Sequence, residues 1–358
     1  MSVVRVGLLG LGEVAQSIHL PALADLHGQF RVAGLYDVSP GLLAHCAARY
    51  PTARTYPSAE ALIAAPEIDA VFVLSPDETH STYVAAAMDA DKHILLEKPP
   101  CLTLREIDAL LARAETYRKV LFVAYMRRYA PAFLAAKAEL PPHAEITHVR
   151  VYDLISEGPH FLRPSQHVYY PTDIDPELLA RGRAAREALL REVTGADAPP
   201  DLVRAYRGLA ALSSHNLSAM RELIGEPVRV VGAHRNNRGA NTSVIFDYGH
   251  FTATYDAVVD DLGLFDAMIE VRSNRKRVRI IYDTPYIRSL PTHLDVTENR
   301  DGEVHTRHLG PLYADAFPNE LRAFHRHILD GTTPKTNLAD ARRDLALWAE
   351  IIDRMKRA

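Results

Sequence analysis

The sequence of 358 residues contains little cysteine, no excess of charge of one sign and no long apolar run. Its two cysteines, Cys46 and Cys101, match the spacing of no zinc or redox pair, which favours a reduced, cytoplasmic setting. Lys and Arg total 41 against 45 Asp and Glu, and this balance predicts no nucleic-acid partner. There is no apolar run of about 18 residues, and residues 1–12 lack a cationic leader with a cleavage site, so we predict neither a membrane span nor a signal peptide.

The first 125 residues alternate between short apolar runs and longer helical segments. Such runs, rich in Val, Ile and Phe, are typical of strands buried on both faces of a parallel sheet. They are Val4–Leu9, Val32–Tyr36, Ala70–Leu74, His93–Leu96 and Val120–Ala124. Strand–helix alternation with short connections implies right-handed crossovers. We therefore predict an α/β fold with a doubly wound, Rossmann-type parallel sheet over residues 1–125. Thr103 with Glu106 predicts a capping box within it.

The pattern changes after residue 125, because runs of β-branched and aromatic residues dominate from 228 to 308. We predict an α+β domain over residues 126–337, built on an open, mostly antiparallel sheet, with a hairpin turn at Asp301-Gly302. Residues 157–209 are polar and are interpreted as an insertion, a lid or an oligomer contact. A last helix in residues 338–358 is predicted to pack back on the first domain. The open sheet leaves one face to cover, so we expect a homodimer or homotetramer.

A glycine-rich turn follows the first strand and opens the first helix. It reads G-x-G-x-x-A and consists of Gly10, Leu11, Gly12, Glu13, Val14 and Ala15. This pattern is typical of a turn that brings the backbone close to a pyrophosphate at a helix N-terminus. Asp37 ends the second strand, where a carboxylate holds the adenosine ribose, and no Arg follows it directly. The motif therefore predicts a dinucleotide site that takes NAD rather than NADP.

Three further segments follow later strands: Ser75-Pro76-Asp77-Glu78-Thr79-His80, Glu97-Lys98-Pro99 and Tyr125-Met126-Arg127-Arg128-Tyr129. With the glycine turn, they resemble the Gfo/Idh/MocA oxidoreductases over the first 130 residues in order and spacing. The resemblance implies NAD(P)-dependent hydride transfer at a hydroxyl of a sugar or cyclitol. It places Lys98 near the nicotinamide and the reacting carbon, and a cis bond before or after Pro99. It further implies cofactor contacts from Ser75, Pro76, His80, Glu97, Lys98 and Arg127.

The same resemblance points to His215 as the second catalytic residue. Ala211 and Ser218 stand where the family often has two carboxylates, which leaves the substrate class open. We assign His215 as general acid/base and Lys98 as electrostatic partner, although the two roles are exchangeable at this stage. The candidate substrate contacts are Lys98, Tyr125, Arg128, His160, His215 and Asn216. We further expect at least one of Arg127 and Arg128 to be a surface charge and Glu222 to lie on a solvated face.

The sequence thus predicts a cytoplasmic NAD-dependent dehydrogenase of a small sugar, glycoside or cyclitol. One alternative is glycoside cleavage by transient oxidation on bound NAD, with no net redox change. Another is a non-catalytic, NAD-sensing regulatory protein, which the absent carboxylates favour and the intact Lys98 and His215 disfavour. The 17 histidines do not form a metal-binding pattern such as H-E-x-x-H, so no metal site is predicted.

Overall fold

The computed structural model describes residues 3–357, which form two compact units. The first unit contains the described residues up to Ala124 together with Gln166–Glu192 and Glu320–Leu345. The second contains Tyr125–Ser165, Val193–Asn319 and the described residues from Ala346 onward. The chain therefore passes between the two units several times.

The described residues form strands and helices in the following chain order. The strands are β1 Val4–Leu9, β2 Phe30–Tyr36, β3 Arg54–Thr55, β4 Ala70–Val73, β5 His93–Leu96, β6 Leu121–Val123, β7 Ile146–Ser156, β8 Arg229–Asn236, β9 Asn241–Asp247, β10 Thr252–Asp260, β11 Phe265–Ser273, β12 Lys276–Tyr282, β13 Thr292–Arg300 and β14 Glu303–Leu312. The helices are α1 Leu20–Asp25, α2 Pro40–Arg49, α3 Ala59–Ala64, α4 His80–Asp89, α5 Leu104–Ala114, α6 Pro131–Glu139, α7 Gly158–Ser165, α8 Pro176–Thr194, α9 Pro200–Gly208, α10 Ser214–Ile224, α11 Ala316–Asp330 and α12 Leu338–Met355. Short π turns (Ala15–His19, Leu209–Ser213) and 3₁₀ turns (Asp77–Thr79, Met126–Tyr129, His143–Glu145, Asn237–Gly239) complete them.

The first unit is built on a parallel sheet with the strand order β3-β2-β1-β4-β5-β6. The order reverses between β1 and β4, as in a doubly wound sheet, and this confirms the predicted Rossmann architecture. All four residues of β4 are buried, which explains its continuous apolar run. Thr103 and Glu106 form the predicted capping box at the start of α5.

Aromatic packing explains why residues 320–345 belong to the first unit. Phe324 of α11 stacks on Phe30 of β2 with ring centroids 6.4 Å apart, and it meets Phe72 and Phe122 edge-on at 5.9 and 5.7 Å. Each of these four rings is almost fully buried. Helix α11 thereby covers one face of the parallel sheet, and no local sequence pattern announces this long-range contact.

The second unit is built on an eight-stranded sheet with the order β14-β13-β12-β11-β7-β10-β9-β8. The β7–β10 pair is parallel, whereas each other neighbouring pair is antiparallel, so the predicted open, mostly antiparallel sheet is confirmed. Asp301 and Gly302 form the predicted hairpin turn between β13 and β14 with φ of 54° and 86°. Over residues 3–357, no helix is long and apolar enough to cross a membrane.

Candidate functional site

The glycine-rich turn in the first unit has the geometry that a dinucleotide requires. Gly10 has φ +91°, and a Cβ there would lie 2.9 Å from both the Leu74 carbonyl oxygen and the Ser75 nitrogen. A Cβ on Gly12, in contrast, would meet no described atom within 4 Å. Gly10 therefore permits the turn itself, while Gly12 leaves open space beside the backbone, and this fits a pyrophosphate at that point.

Asp37 lies directly after β2 and beside this turn. Its carboxylate accepts hydrogen bonds from the Leu11 nitrogen at 2.8 Å and from the Ser39 nitrogen at 2.9 Å. Burial raises the pKa of Asp37, and the nearby Asp173 charge adds to that effect. The side chain is thus held beside the turn, in the position that the sequence predicts for a ribose contact.

His80 joins the loops that follow β4 and β5. Its Nε2 and Nδ1 lie 2.8 Å from the carbonyl oxygens of Ser75 and Pro99, and the ring is buried. The Lys98–Pro99 peptide bond is cis, one of the two placements that the resemblance implied. His80, Ser75, Pro76 and Lys98 are therefore brought together at the carboxyl edge of the parallel sheet, where ligands bind in doubly wound folds.

Glu97 is buried against a residue that the sequence analysis missed. His19, fully buried, places its Nε2 2.8 Å from the Glu97 carboxylate, and the Lys98 nitrogen donates to the other carboxylate oxygen at 3.0 Å. Burial raises the pKa of Glu97, but interactions with His19 and, to a smaller extent, with Lys98 outweigh it, so the pKa lies below its usual value. Glu97 therefore orients the Lys98 backbone. Lys98 itself is half-buried and lies two residues after Leu96, where β5 ends.

The second unit holds a buried polar network beneath α10. Asp153 of β7 accepts hydrogen bonds from Arg127 at 2.5 Å, Tyr255 at 2.9 Å and the Asn216 amide at 3.1 Å. Asn216 also donates to the Tyr152 carbonyl at 3.0 Å. Because the amide hydrogens of Asn216 are used inside the protein, its contacts favour a positioning role over the substrate contact expected from the sequence.

His215 precedes Asn216 on α10 and is half-buried. The hydroxyl of Ser218 donates to the His215 backbone carbonyl at 3.2 Å, so this substituted position closes a helical turn. Ala211, the other substituted position, lies in the π turn before α10. The ring of His215 is thus placed by a helix that β7 anchors through Asn216.

The expectation that at least one of Arg127 and Arg128 is a surface charge was wrong, because both side chains are buried. Arg127 is 2% exposed and pairs with Asp153, while Arg128 is 3% exposed and donates to Glu222 at 2.6 Å. Glu222 accepts from Lys137 as well and is not on a solvated face. Each arginine therefore belongs to an internal ion pair, while the cofactor and substrate contacts expected of Arg127 and Arg128 stay predictions.

The remaining candidates of the second unit lie in different settings. Tyr125 is buried and carries the Arg128 guanidinium 5.8 Å from its ring centroid. His160 is exposed on α7, next to Phe161. Among residues 3–357, no group of three or more His, Cys, Asp or Glu side chains could hold a metal ion.

Comparison with known proteins finds similarity that centres on residues 4–125. The Gfo/Idh/MocA family model, described as an oxidoreductase family with an NAD-binding Rossmann fold, matches residues 4–125. The inositol 2-dehydrogenase of Acidothermus cellulolyticus is 38% identical over 141 residues, which are 38% of this chain and 40% of that protein. The UDP-N-acetylglucosamine 3-dehydrogenase of Acidithiobacillus ferrooxidans is 34% identical over 128 residues, 36% of this chain and 39% of that one. The chain thus matches about two fifths of the length of these relatives.

Solved structures resemble the chain over nearly its whole length. The crystal structure of the same UDP-N-acetylglucosamine 3-dehydrogenase has a TM-score of 0.73 at 20% identity and covers 100% of this chain and 99% of its own. A 3-ketoreductase from Actinomadura kijaniata, in complex with NADP and TDP-benzene, has a TM-score of 0.72 at 19% identity and covers 99% and 98%. At such identities the likeness shows the shared fold of both units.

Proposed function

We propose that this chain is an NAD-dependent oxidoreductase of the Gfo/Idh/MocA family, whose model, with its NAD-binding Rossmann fold, matches residues 4–125. Its substrate is a hydroxyl or ketone of a sugar, glycoside or cyclitol, in line with the inositol and UDP-sugar dehydrogenases that it resembles. The observation that carries the proposal is the glycine turn, with open space at Gly12 and the carboxylate of Asp37 beside it.

The groups that handle the proton are Lys98 and His215. Bound NAD⁺ supplies the hydride acceptor for alcohol oxidation. Lys98 offers a cation that stabilises a developing alkoxide, held in place by the backbone bond to Glu97. His215 is the general base of the proposal and accepts the hydroxyl proton on its imidazole ring. Tyr125 and His160 stay candidates for contacts with substrate, while Arg127, Arg128 and Asn216 serve to support the site.

NAD is proposed as the cofactor over NADP because Asp37 lies at the end of β2. A carboxylate there accepts hydrogen bonds from ribose hydroxyls and repels a 2′-phosphate. The names of the relatives support a small-molecule substrate. We propose separately, from the cysteine content and the open sheet, a cytoplasmic protein that forms a homodimer or homotetramer.

The test measures NADH absorbance at ~340 nm with NAD⁺ and, separately, with NADP⁺. The substrates are inositols, free sugars, glycosides and nucleotide sugars. Lys98→Ala is compared with the wild type and with Lys119→Ala, which removes a half-buried lysine paired to Asp91 at 3.4 Å. We expect a signal with one substrate class and NAD⁺, a loss of about 100-fold or more in kcat with Lys98→Ala, and no change with Lys119→Ala.

Three outcomes contradict the proposal in different ways. A wild type that binds neither dinucleotide by calorimetry refutes it outright. Activity that survives Lys98→Ala refutes the assigned role of Lys98. Cleavage of a glycoside with bound NAD and no net absorbance change replaces the dehydrogenase with transient, internally balanced oxidation.

A further inference from the structure

The N-terminus of α2 is the place where a Rossmann domain distinguishes NAD from NADP. The ribose 2′ oxygen of the adenosine lies beside the carboxylate that ends β2, next to the turn into the following helix. A 2′-phosphate at this point is bound by free backbone N–H groups and by Arg or Lys side chains. Residues 37–42 contain no Arg or Lys, so the backbone and hydroxyl donors would have to hold the phosphate.

In this chain, two carboxylates and the N-cap hydroxyl of Ser39 already accept hydrogen bonds from these donors. The Ser39 nitrogen donates to Asp37 at 2.9 Å, and the Leu42 nitrogen donates to the Ser39 hydroxyl at 3.0 Å. The Ser39 hydroxyl in turn donates to Asp173, and the Gly41 nitrogen donates to the same carboxylate at 2.7 Å. Asp173 therefore occupies the hydrogen-bonding position that an anionic ligand of this helix would need.

Asp173 comes from a segment that is held firmly against the first unit. We call residues 169–173 the strap. The Tyr169 backbone exchanges two hydrogen bonds with the Gln16 side chain, at 2.8 and 3.0 Å. Its ring stacks on His45 of α2 with centroids 4.9 Å apart, and the Tyr170 hydroxyl donates to Glu13 at 2.8 Å. The strap thus runs from the glycine turn to the start of α2.

We propose that Asp173 is a specificity-determining residue that excludes NADP by filling the place of its 2′-phosphate. This inference rests on the proposed function, because it assumes that the glycine turn binds a dinucleotide. The hydrogen bonds from Ser39 and Gly41 hold the pKa of Asp173 below its usual range, so the carboxylate is charged at neutral pH. Asp37 and Asp173 together repel a 2′-phosphate, whereas a neutral 2′-hydroxyl can donate to either carboxylate.

The test is calorimetric binding of NAD⁺ and NADP⁺ to the full chain, with no substrate present. The variants are Asp173→Asn, which removes the charge and keeps the shape, and Asp173→Lys, which supplies a cation for the phosphate. The control is Asp175→Asn, because Asp175 carries the same charge on the neighbouring turn and accepts a hydrogen bond from the Glu177 nitrogen, not from α2. Asn also retains the capping geometry there.

We expect Asp173→Asn to lower the Kd for NADP⁺ about tenfold and to change the Kd for NAD⁺ less than about threefold. Asp173→Lys should improve NADP⁺ binding further, by an amount that shrinks as salt is added. Asp175→Asn should leave both constants at the wild-type values.

Hydrogen exchange of the strap distinguishes an effect of the Asp173 charge from a loosening of the strap in the variant. Unchanged protection of residues 169–173 in Asp173→Asn, with the gain in NADP⁺ affinity, supports the proposal. Equal weakening of both dinucleotides, together with lost protection, overturns it, because Asp173 would then only fasten the strap. A wild type that binds both dinucleotides equally overturns this inference and leaves the oxidoreductase proposal standing, whereas a wild type that binds neither refutes both.

Discussion

Removal of the Asp153 carboxylate should destabilise the second unit more than a typical substitution does. Asp153 is fully buried and accepts hydrogen bonds from Arg127, Tyr255 and Asn216. In Asp153→Ala, the guanidinium of Arg127, itself 2% exposed, becomes a buried charge without its counter-ion. Breaking one side of a buried ion pair costs about 3–5 kcal/mol, and the orphaned Tyr255 hydroxyl adds about 1 kcal/mol or more.

The rings of Tyr282 and Phe265 offset part of this cost. The Arg127 guanidinium lies 5.0 and 5.7 Å from their centroids, and such cation–π contacts contribute about 1 kcal/mol. We therefore expect Asp153→Ala to lower the free energy of unfolding by about 4 kcal/mol, a large share of a usual total of roughly 5–15 kcal/mol. The paired change Asp153→Leu with Arg127→Met should recover most of the loss, because it leaves no buried charge.

Urea unfolding followed by tryptophan fluorescence measures this change. Trp348, the single tryptophan, is fully buried in the part of α12 that belongs to the second unit. The control is Arg229→Ala, which breaks an ion pair whose arginine side chain is 62% exposed, and which should cost less than about 1 kcal/mol. A loss in Asp153→Ala no larger than in Arg229→Ala would refute the reasoning, as would a double variant no more stable than Asp153→Ala.

Two further predictions concern the first unit. Gly10→Ala should destabilise the protein by about 2–4 kcal/mol, because its Cβ would press on the Leu74 carbonyl at a positive φ, whereas Gly12→Ala should keep the wild-type melting temperature and lose NAD⁺ binding about tenfold or more. Thermal unfolding and calorimetry check both predictions. Equal effects of the two substitutions on stability and on NAD⁺ binding would contradict the separate roles of Gly10 and Gly12 in the glycine turn. Burial lowers the pKa of His93 from 6.5 to about 4, and its Nδ1 accepts from the Val120 nitrogen at 3.0 Å. The neutral ring therefore adds stability that is present above pH 6.5 and lost as the pH falls to about 4. Over this pH range the free energy of unfolding should fall by about 1–2 kcal/mol because of His93, and His93→Leu should remove that fall in denaturant titrations. An unchanged pH dependence in His93→Leu would contradict the prediction.

Local patterns predicted most of the secondary structure and the glycine turn. The capping box of Thr103 and the turn at Asp301-Gly302 depend on residues at most a few positions apart, so their geometry follows from local chemistry. The Rossmann order follows from alternating buried strands and helices.

Contacts between distant residues were outside the reach of those patterns. His19 and Glu97 are separated by 78 positions, and Ser39 and Asp173 by 134. The strap therefore reads as a polar insertion in the sequence, although its hydrogen bonds attach it to the first unit. The burial of Arg127 and Arg128 was missed for the same reason, because their carboxylate partners lie 26 and 94 positions away.

Positions 211 and 218 carry Ala211 and Ser218 in place of carboxylates, and Asp153 is the carboxylate that contacts this helix instead. The structure supplies a carboxylate to α10 from β7, but that carboxylate is fully buried and already accepts from three donors. Through Asn216 it anchors the helix that carries His215. In the proposed mechanism, proton chemistry on this helix therefore falls to His215, with fewer acceptors for neighbouring substrate hydroxyls. A substrate that presents few hydroxyls near His215 suits such a site. For this reason the substrates proposed for the absorbance test extend from inositols to glycosides and nucleotide sugars.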